Sequence, residues 1–171
     1  ADSINFKKSV LGTTAPKFWG GFTNTFTYKN LSLTGLLTYS YGNRLIYDMA
    51  LMDGYINTLA NKTTRALENT RPIKFSTPTP YDLSDEYVFD ASYIKLRSLT
   101  LGYELPKSLI NKIKFNNAIF YVTGTNLLTL TKYPGADPEV SDDPYSIIGG
   151  ARDAGTYPSS RGVVVGLRFA F

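Results

Sequence analysis

The chain has 171 residues, enough for one domain of ordinary size, and its apolar runs are only a few residues long, so no helix of about 20 residues crosses a bilayer. It contains neither cysteine nor histidine, which excludes disulfides, thiol nucleophiles, histidine-based triads and the commonest zinc ligands. A formal charge of +4 is spread along the chain without a basic block, so nucleic acid is not an expected partner.

The chain opens on Ala1-Asp2-Ser3, without an initiator Met or a signal peptide, and is expected to be either processed or a fragment of something longer. The first strand is expected over residues 18–29. There Phe18, Phe22, Phe26 and Tyr28 alternate with Trp19, Thr23, Thr25 and Thr27, so one face is aromatic and the other rich in threonine. A second strand over residues 31–42 repeats the pattern, with Leu31, Leu33, Leu37, Tyr39 and Tyr41 opposite Ser32, Thr34, Thr38 and Ser40. Two such runs joined by Lys29-Asn30 predict a tight hairpin. Residues 43–90 show no sustained alternation; residues 45–67 have partial helical spacing, and Thr77-Pro78-Thr79-Pro80 interrupts any regular element at that point.

A third strand is expected over residues 93–104, where Leu99, Leu101 and Tyr103 oppose Ser98, Thr100 and Glu104. Lys95 and Arg97 fall on its apolar parity, a position tolerable only near an interface. The fourth, over residues 117–128, sets Phe120 and Val122 against Tyr121, Thr123 and Thr125 without a clear facing. The fifth, over residues 160–171, places Val163, Val165, Leu167, Phe169 and Phe171 on one parity and Gly162, Val164, Gly166, Arg168 and Ala170 on the other. An apolar face against a small or polar one, at about 9–11 residues per strand, suits a barrel wall between lipid and a polar lumen. The expected fold is all-β, an antiparallel meander. Phe22, Phe26, Leu33, Leu37, Leu99, Leu101, Val165 and Leu167 are expected to face lipid. Thr23, Thr25, Thr34, Thr38, Thr100 and Arg168 are expected to face the lumen, since hydroxyls in hydrocarbon lack partners. Leu167, Phe169 and Phe171 resemble the terminal signal read by the outer-membrane assembly machinery.

Connections alternate between short and long. Outer-membrane barrels keep short turns in the periplasm and long loops outside, so residues 43–92 and 129–159 are expected to be extracellular. In the first of them Leu45, Ile46, Tyr47, Met49, Leu51, Met52 and Tyr55 are too apolar to stay in water together. Tyr39, Tyr41 and Tyr103 read as interfacial girdle residues, while Tyr93 and Tyr133 fit either a girdle or a sugar-stacking platform. Asp137, Glu139, Asp142 and Asp143 offer oxygen ligands for calcium, but their spacing matches no EF-hand and Pro138 and Pro144 fit a solvated turn.

Two strings carry more than topology. Residues 87–106, YVFDASYIKLRSLTLGYELP, resemble the D-A-S-Y-x-(K/R)-L-(R/K)-x-L-T-L-G-Y-x-L-P segment of SusC-like TonB-dependent outer-membrane transporters. Residues 122–139, VTGTNLLTLTKYPGADPE, are similar to that family's G-x-N-L-x-T-x-T-x-Y-x-G-x-D-P-E signature, and residues 16–30 resemble its upstream strand pair. The resemblance implies that residues 1–171 are the C-terminal portion of a large transmembrane β-barrel of about 22 strands. It places the protein in the Gram-negative outer membrane, in contact with lipid. It also implies a plug domain and the remainder of the barrel as neighbours, a SusD-like surface lipoprotein as lid, and energy passed through TonB to import glycans or peptides. No enzyme activity, cofactor or metal is expected, and the resemblance assigns no substrate-binding residue to this chain. Two readings from the residues alone stand beside it. One is a self-contained eight-strand structural or adhesion barrel, which needs three further strands within residues 43–92 and 129–159. The other is a soluble carbohydrate-binding sandwich. A hydrolase is disfavoured because, without histidine, the usual base for a serine nucleophile is missing.

Overall fold

The computed structural model describes residues 9–48, 85–110, 115–141 and 152–170. They divide into two compact units, one built of long strands and one of the segments that precede and join them.

The first unit is a five-stranded antiparallel sheet of β1 (Phe18–Tyr28), β2 (Leu31–Tyr41), β5 (Tyr93–Glu104), β6 (Asn117–Thr131) and β8 (Gly162–Ala170), in that order. Chain order and spatial order agree, as the meander requires. The β1–β2 hairpin closes through Lys29-Asn30. Lys29 lies in the left-handed region (φ 52°), which suits the right-handed twist of a two-residue turn. Asn30 then ties the corner to the third strand, donating from Nδ2 to the Glu104 carbonyl at 3.0 Å and accepting the Glu104 N–H at 2.8 Å. At the same end, Lys107–Ile110 form a single helical turn, α1, and bury Ile110.

Two bulges hide part of this sheet from a strict period of two. Leu36 and Leu37 on β2 pair with Ser98 and Leu96 on β5, so Arg97 is the extra residue. The same two β5 residues pair with Thr125 and Leu128 on β6, where Asn126 takes φ 50°. An extra residue reverses side-chain parity beyond it. The expectation that Lys95 and Arg97 lie on the apolar face is therefore corrected. Lys95 pairs with Thr38 on the hydroxyl face, and Arg97 donates from Nε to Thr38 Oγ1 at 3.3 Å. The fourth strand also runs to Thr131 rather than residue 128, because Leu128 and Leu130 resume the apolar parity after the bulge.

The second unit contains β3 (Arg44–Tyr47), β4 (Val88–Asp90) and β7 (Arg152–Asp153), with β3 in the centre, antiparallel to β4 and parallel to β7. Arg44–Tyr47 is thus a strand rather than helix, Asp48 is helical, and residues 49–67 of the expected helical segment lie outside the described residues. The strand's β-branched and aromatic residues find backbone partners far along the chain, which local spacing does not report. These are three further strands, but of 4, 3 and 2 residues, against about 9–11 for a spanning strand. They form a separate sheet, and the eight-strand barrel gains nothing from them.

Candidate functional site

The register of the long sheet sorts its side chains into two faces. On one, rows run across the strands as Phe22, Leu37, Leu96 and Leu128, then Asn24, Gly35, Leu99, Gly124 and Val163. Below them come Phe26, Leu33, Leu101, Val122 and Val165, then Tyr28, Leu31, Tyr103, Phe120 and Leu167. Asn24 is the polar exception. Most of these side chains are exposed in this chain, Phe26 at 66% and Val165 at 61%, which makes one continuous apolar surface. Phe169 closes it at the β8 end, its ring 5.0 Å from that of Phe115; Phe171 lies outside the described residues.

Tyrosines mark both edges of this surface. Tyr28 and Tyr103 sit by the short corner, while Tyr39 and Tyr41 sit at the opposite end, Tyr41 stacked on Phe18 at 4.8 Å. Tyr39 also lies across Gly20 on the paired strand, where a Cβ would come within 2.9 Å of its hydroxyl. Leu31 to Tyr41 are the 11 residues of β2, roughly 33 Å at about 3.3 Å per step. A tilt of about 40° brings that close to the apolar band, about 25 Å tall, of an outer-membrane wall.

The other face carries Thr25, Thr34, Thr100 and Thr123 in one row across four strands. Thr25 and Thr34 join through their hydroxyls at 3.0 Å, and Thr100 and Thr123 at 2.8 Å. Thr23, Ser98 and Thr125 form the next row, with Leu36 among them; Lys95, Thr38 and Thr129 come after it. Toward the short corner, Tyr121 lies over Gly166, and Arg168 places its guanidinium 5.9 Å from the Tyr121 ring. A tyrosine laid across a facing glycine stiffens a sheet where a side chain is missing. Phe22, Phe26, Leu33, Leu37, Leu99, Leu101 and Val165 thus share one face, and Thr23, Thr25, Thr34, Thr38, Thr100 and Arg168 share the other.

Tyr133, open between two roles in the sequence, takes neither. It is buried in the core of the second unit with Leu45, Ala91 and Val140, and Tyr47 and Phe89 pack on that core. The Tyr47, Phe89 and Tyr133 rings meet edge to face with centroids 5.7–6.5 Å apart. Tyr133 donates its hydroxyl to Asp153 Oδ2 at 2.7 Å, and Asp153 Oδ1 accepts the Gly155 N–H at 3.0 Å. Burial, then the Asp153 carboxylate, push the phenol well above its ordinary range. Beside it Arg152 reaches Asp48 Oδ2 from Nε at 2.9 Å and from a terminal nitrogen at 2.8 Å. Tyr93, the other open tyrosine, lies on the hydroxyl face opposite Ser40.

The solvated acidic turn is corrected in part. Asp137 is only 4% exposed, and its Oδ1 accepts the Glu139 N–H at 3.1 Å, closing its own turn. Among the described residues no cluster of three acidic side chains could hold a metal ion; Asp142 and Asp143 lie outside them, as do Met49, Leu51, Met52 and Tyr55 of the apolar loop.

Tyr133→Phe leaves the Asp153 oxygen buried without its donor and is expected to destabilise this unit by about 1–3 kcal/mol. The folded phenol titrates above its unfolded value near pH 10, so its contribution is complete below that pH and is lost as pH rises beyond it. Hydrogen exchange of the Tyr47 and Asp153 amides in the full-length protein, wild type against variant and across that pH range, checks both expectations.

No protein-family model matches the chain. It is 32% identical over 174 residues to TonB-dependent receptor P3 of Formosa agariphila, covering 96% of this chain and 17% of the relative. It is 27% identical to TonB-dependent receptor SusC of Bacteroides thetaiotaomicron over 88% of this chain and 15% of that protein. Among solved structures it superimposes on the RagAB peptide importer in its closed-closed state with a TM-score of 0.76 and 28% identity, covering 100% of this chain and 19% of that one. The chain therefore spans less than a fifth of the relatives it matches. The resemblance to SusC-like TonB-dependent receptors is borne out, and the antiparallel sheet matches the C-terminal part of such a barrel.

Proposed function

We propose, from a chain that is SusC-like over nearly its whole length, that residues 1–171 are the C-terminal barrel portion of an outer-membrane importer that takes up glycans or peptides. The observation that carries this reading is the two-faced register of the long sheet. A continuous apolar face bounded by tyrosines suits lipid, whereas hydroxyls, Lys95, Arg97 and Arg168 suit a wet lumen. The relatives are named as receptors and importers rather than enzymes.

In this reading β1 and β8 are edges only of this chain and pair with the remainder of the barrel, since a closed wall leaves no edge in lipid. The lumen holds the plug, and TonB engages the preceding part of the protein. Leu167 and Phe169 on β8, with Phe171, act as the assembly signal. The segments at residues 43–92 and 132–159, the second shortened by the extension of β6 to Thr131, lie outside the cell and meet a SusD-like lipoprotein or the substrate. Deleting the gene for the full-length protein should abolish growth on one class of oligosaccharide or peptide as sole nutrient, and the tagged protein should copurify with a surface lipoprotein. Unchanged growth on every such nutrient, with the protein fractionating away from the outer membrane, overturns the reading.

A further inference from the structure

Lys29 continues the hydroxyl parity of Thr23, Thr25 and Thr27, yet its ammonium lies 5.4 Å from the centroid of the Tyr28 ring, which belongs to the apolar face. The left-handed backbone at Lys29 turns the side chain back over the corner, so the cation crosses to the side of the tyrosines. The corner itself is fixed, because Asn30 exchanges two hydrogen bonds with Glu104. Beside it the rows of the apolar face run Tyr28, Leu31 and Tyr103, then Phe26, Leu33 and Leu101. Both β2 and β5 are paired on both sides within this chain, so the exposure of Leu31 at 44% and of Tyr103 at 40% is not that of an unpaired edge. Closing a barrel adds strands edge to edge and leaves the outward face uncovered. Lys29 and Lys107 are both exposed at this end of the sheet. Among the described residues Glu104 is the one acid there, and its row, with Ile119 and Arg168, lies on the hydroxyl face. Every other described acid belongs to the second unit, which leaves the outward rim of the corner cationic.

We propose that Lys29 and the flanking phenols of Tyr28 and Tyr103 hold the phosphate of an anionic phospholipid in the periplasmic leaflet, with an acyl chain lying along Leu31 and Leu33. The proposal rests on the importer reading, which turns this face to lipid, and adds the class of lipid held at the short-turn rim. Tyr28 and Tyr103 stand two strand spacings apart, roughly 10 Å, with Leu31 between them as a floor. A phenol donates to a phosphate oxygen while its ring stays against hydrocarbon. An ammonium resting on an aromatic ring keeps its donors and is already placed at head-group level, so little ordering remains to be done when lipid binds. The absence of an acid on this rim favours a head group of net negative charge over a zwitterionic one, whose own ammonium competes with Lys29 for the phosphate. The two-residue connection puts the corner at the periplasmic leaflet, where the lipid is phospholipid rather than lipopolysaccharide.

The test reconstitutes the full-length protein, with a single fluorophore at Leu101, in vesicles of phosphatidylcholine and phosphatidylglycerol in which one lipid or the other carries brominated chains. The ratio of the two quenching efficiencies gives the relative affinity of this stretch of wall for the two lipids. Phosphatidylglycerol should be favoured about fivefold, the preference that one lysine confers at an anionic surface. Lys29→Asn suits the left-handed turn but removes the charge, so it should abolish the preference, whereas Lys29→Arg should keep it. Tyr28→Leu removes the ring beneath the ammonium, leaves the corner intact and should weaken the preference, which gives a second reading if Lys29→Asn folds poorly by heat-modifiable gel mobility. Equal quenching by the two lipids in wild type overturns the proposal, as does a preference that survives both Lys29→Asn and Tyr28→Leu; in either case lipid still quenches and the importer reading stands. Displacement of the quencher by lipopolysaccharide in preference to unbrominated phosphatidylglycerol overturns the choice of leaflet and with it the proposal. No quenching by either brominated lipid means that the face does not meet lipid, and fails the importer reading itself.

Discussion

Leu99→Arg should lower the stability of the full-length protein in lipid vesicles by about 2–4 kcal/mol, the cost of an arginine facing hydrocarbon near the midplane. Leu99 lies in the middle row of the apolar face, between Gly35 and Gly124, and its side chain covers Gly35, where a Cβ would meet it at 3.4 Å. Ser98→Arg, one residue away on the same strand, places the same charge on the hydroxyl face and should change stability by less than about 1 kcal/mol. Urea titrations of folded fraction check the pair. The contrast between adjacent positions matters more than either value, because a soluble sheet with a buried apolar face and a solvated polar one penalises Leu99→Arg in detergent-free buffer just as well. Only a lipid-facing wall shows the penalty while the apolar face stays in contact with bilayer.

Gly135→Ala should be the most damaging small substitution in the second unit, costing about 3 kcal/mol through overpacking and a lost buried hydrogen bond. A Cβ there would collide with the Tyr133 ring and approach Asp153 Oδ2 to 2.8 Å. Both groups are buried, so neither has room to yield. Displacing the ring breaks the Tyr133–Asp153 bond and the edge-to-face contacts with Tyr47 and Phe89 together. The expected outcome is protease cleavage within residues 133–157 on intact cells, with the amount of protein in the outer membrane unchanged. The alternative outcome, wild-type resistance to protease, would mean that the unit tolerates the methyl group.

The long hairpin was fully legible because β1 and β2 keep an unbroken period of two and turn through two residues. The same rule misplaced Lys95 and Arg97 and shortened β6, since one extra residue reverses parity and nothing local marks Arg97 as extra. Asn126 was the better clue, as asparagine accepts the left-handed backbone that its bulge requires. The second unit was illegible for a different reason. Its strands are too short to show periodicity, and Ile46 pairs with Arg152 and Tyr133 bonds to Asp153 across the chain. The signature string that contains Tyr133 pointed to the segment, and only the fold revealed that its tyrosine is a packed core residue rather than a ligand contact.

The importer reading stands or falls on whether the apolar face of the long sheet meets lipid while the hydroxyl face does not. Single fluorophores at Leu33, Leu101 and Val165, and at Thr34, Thr100 and Val164, in the full-length protein decide this when vesicles are made with and without brominated lipid. Strong quenching is expected at the first three and little at the second three; equal quenching of both sets, or the reverse order, would contradict a lipid-facing wall.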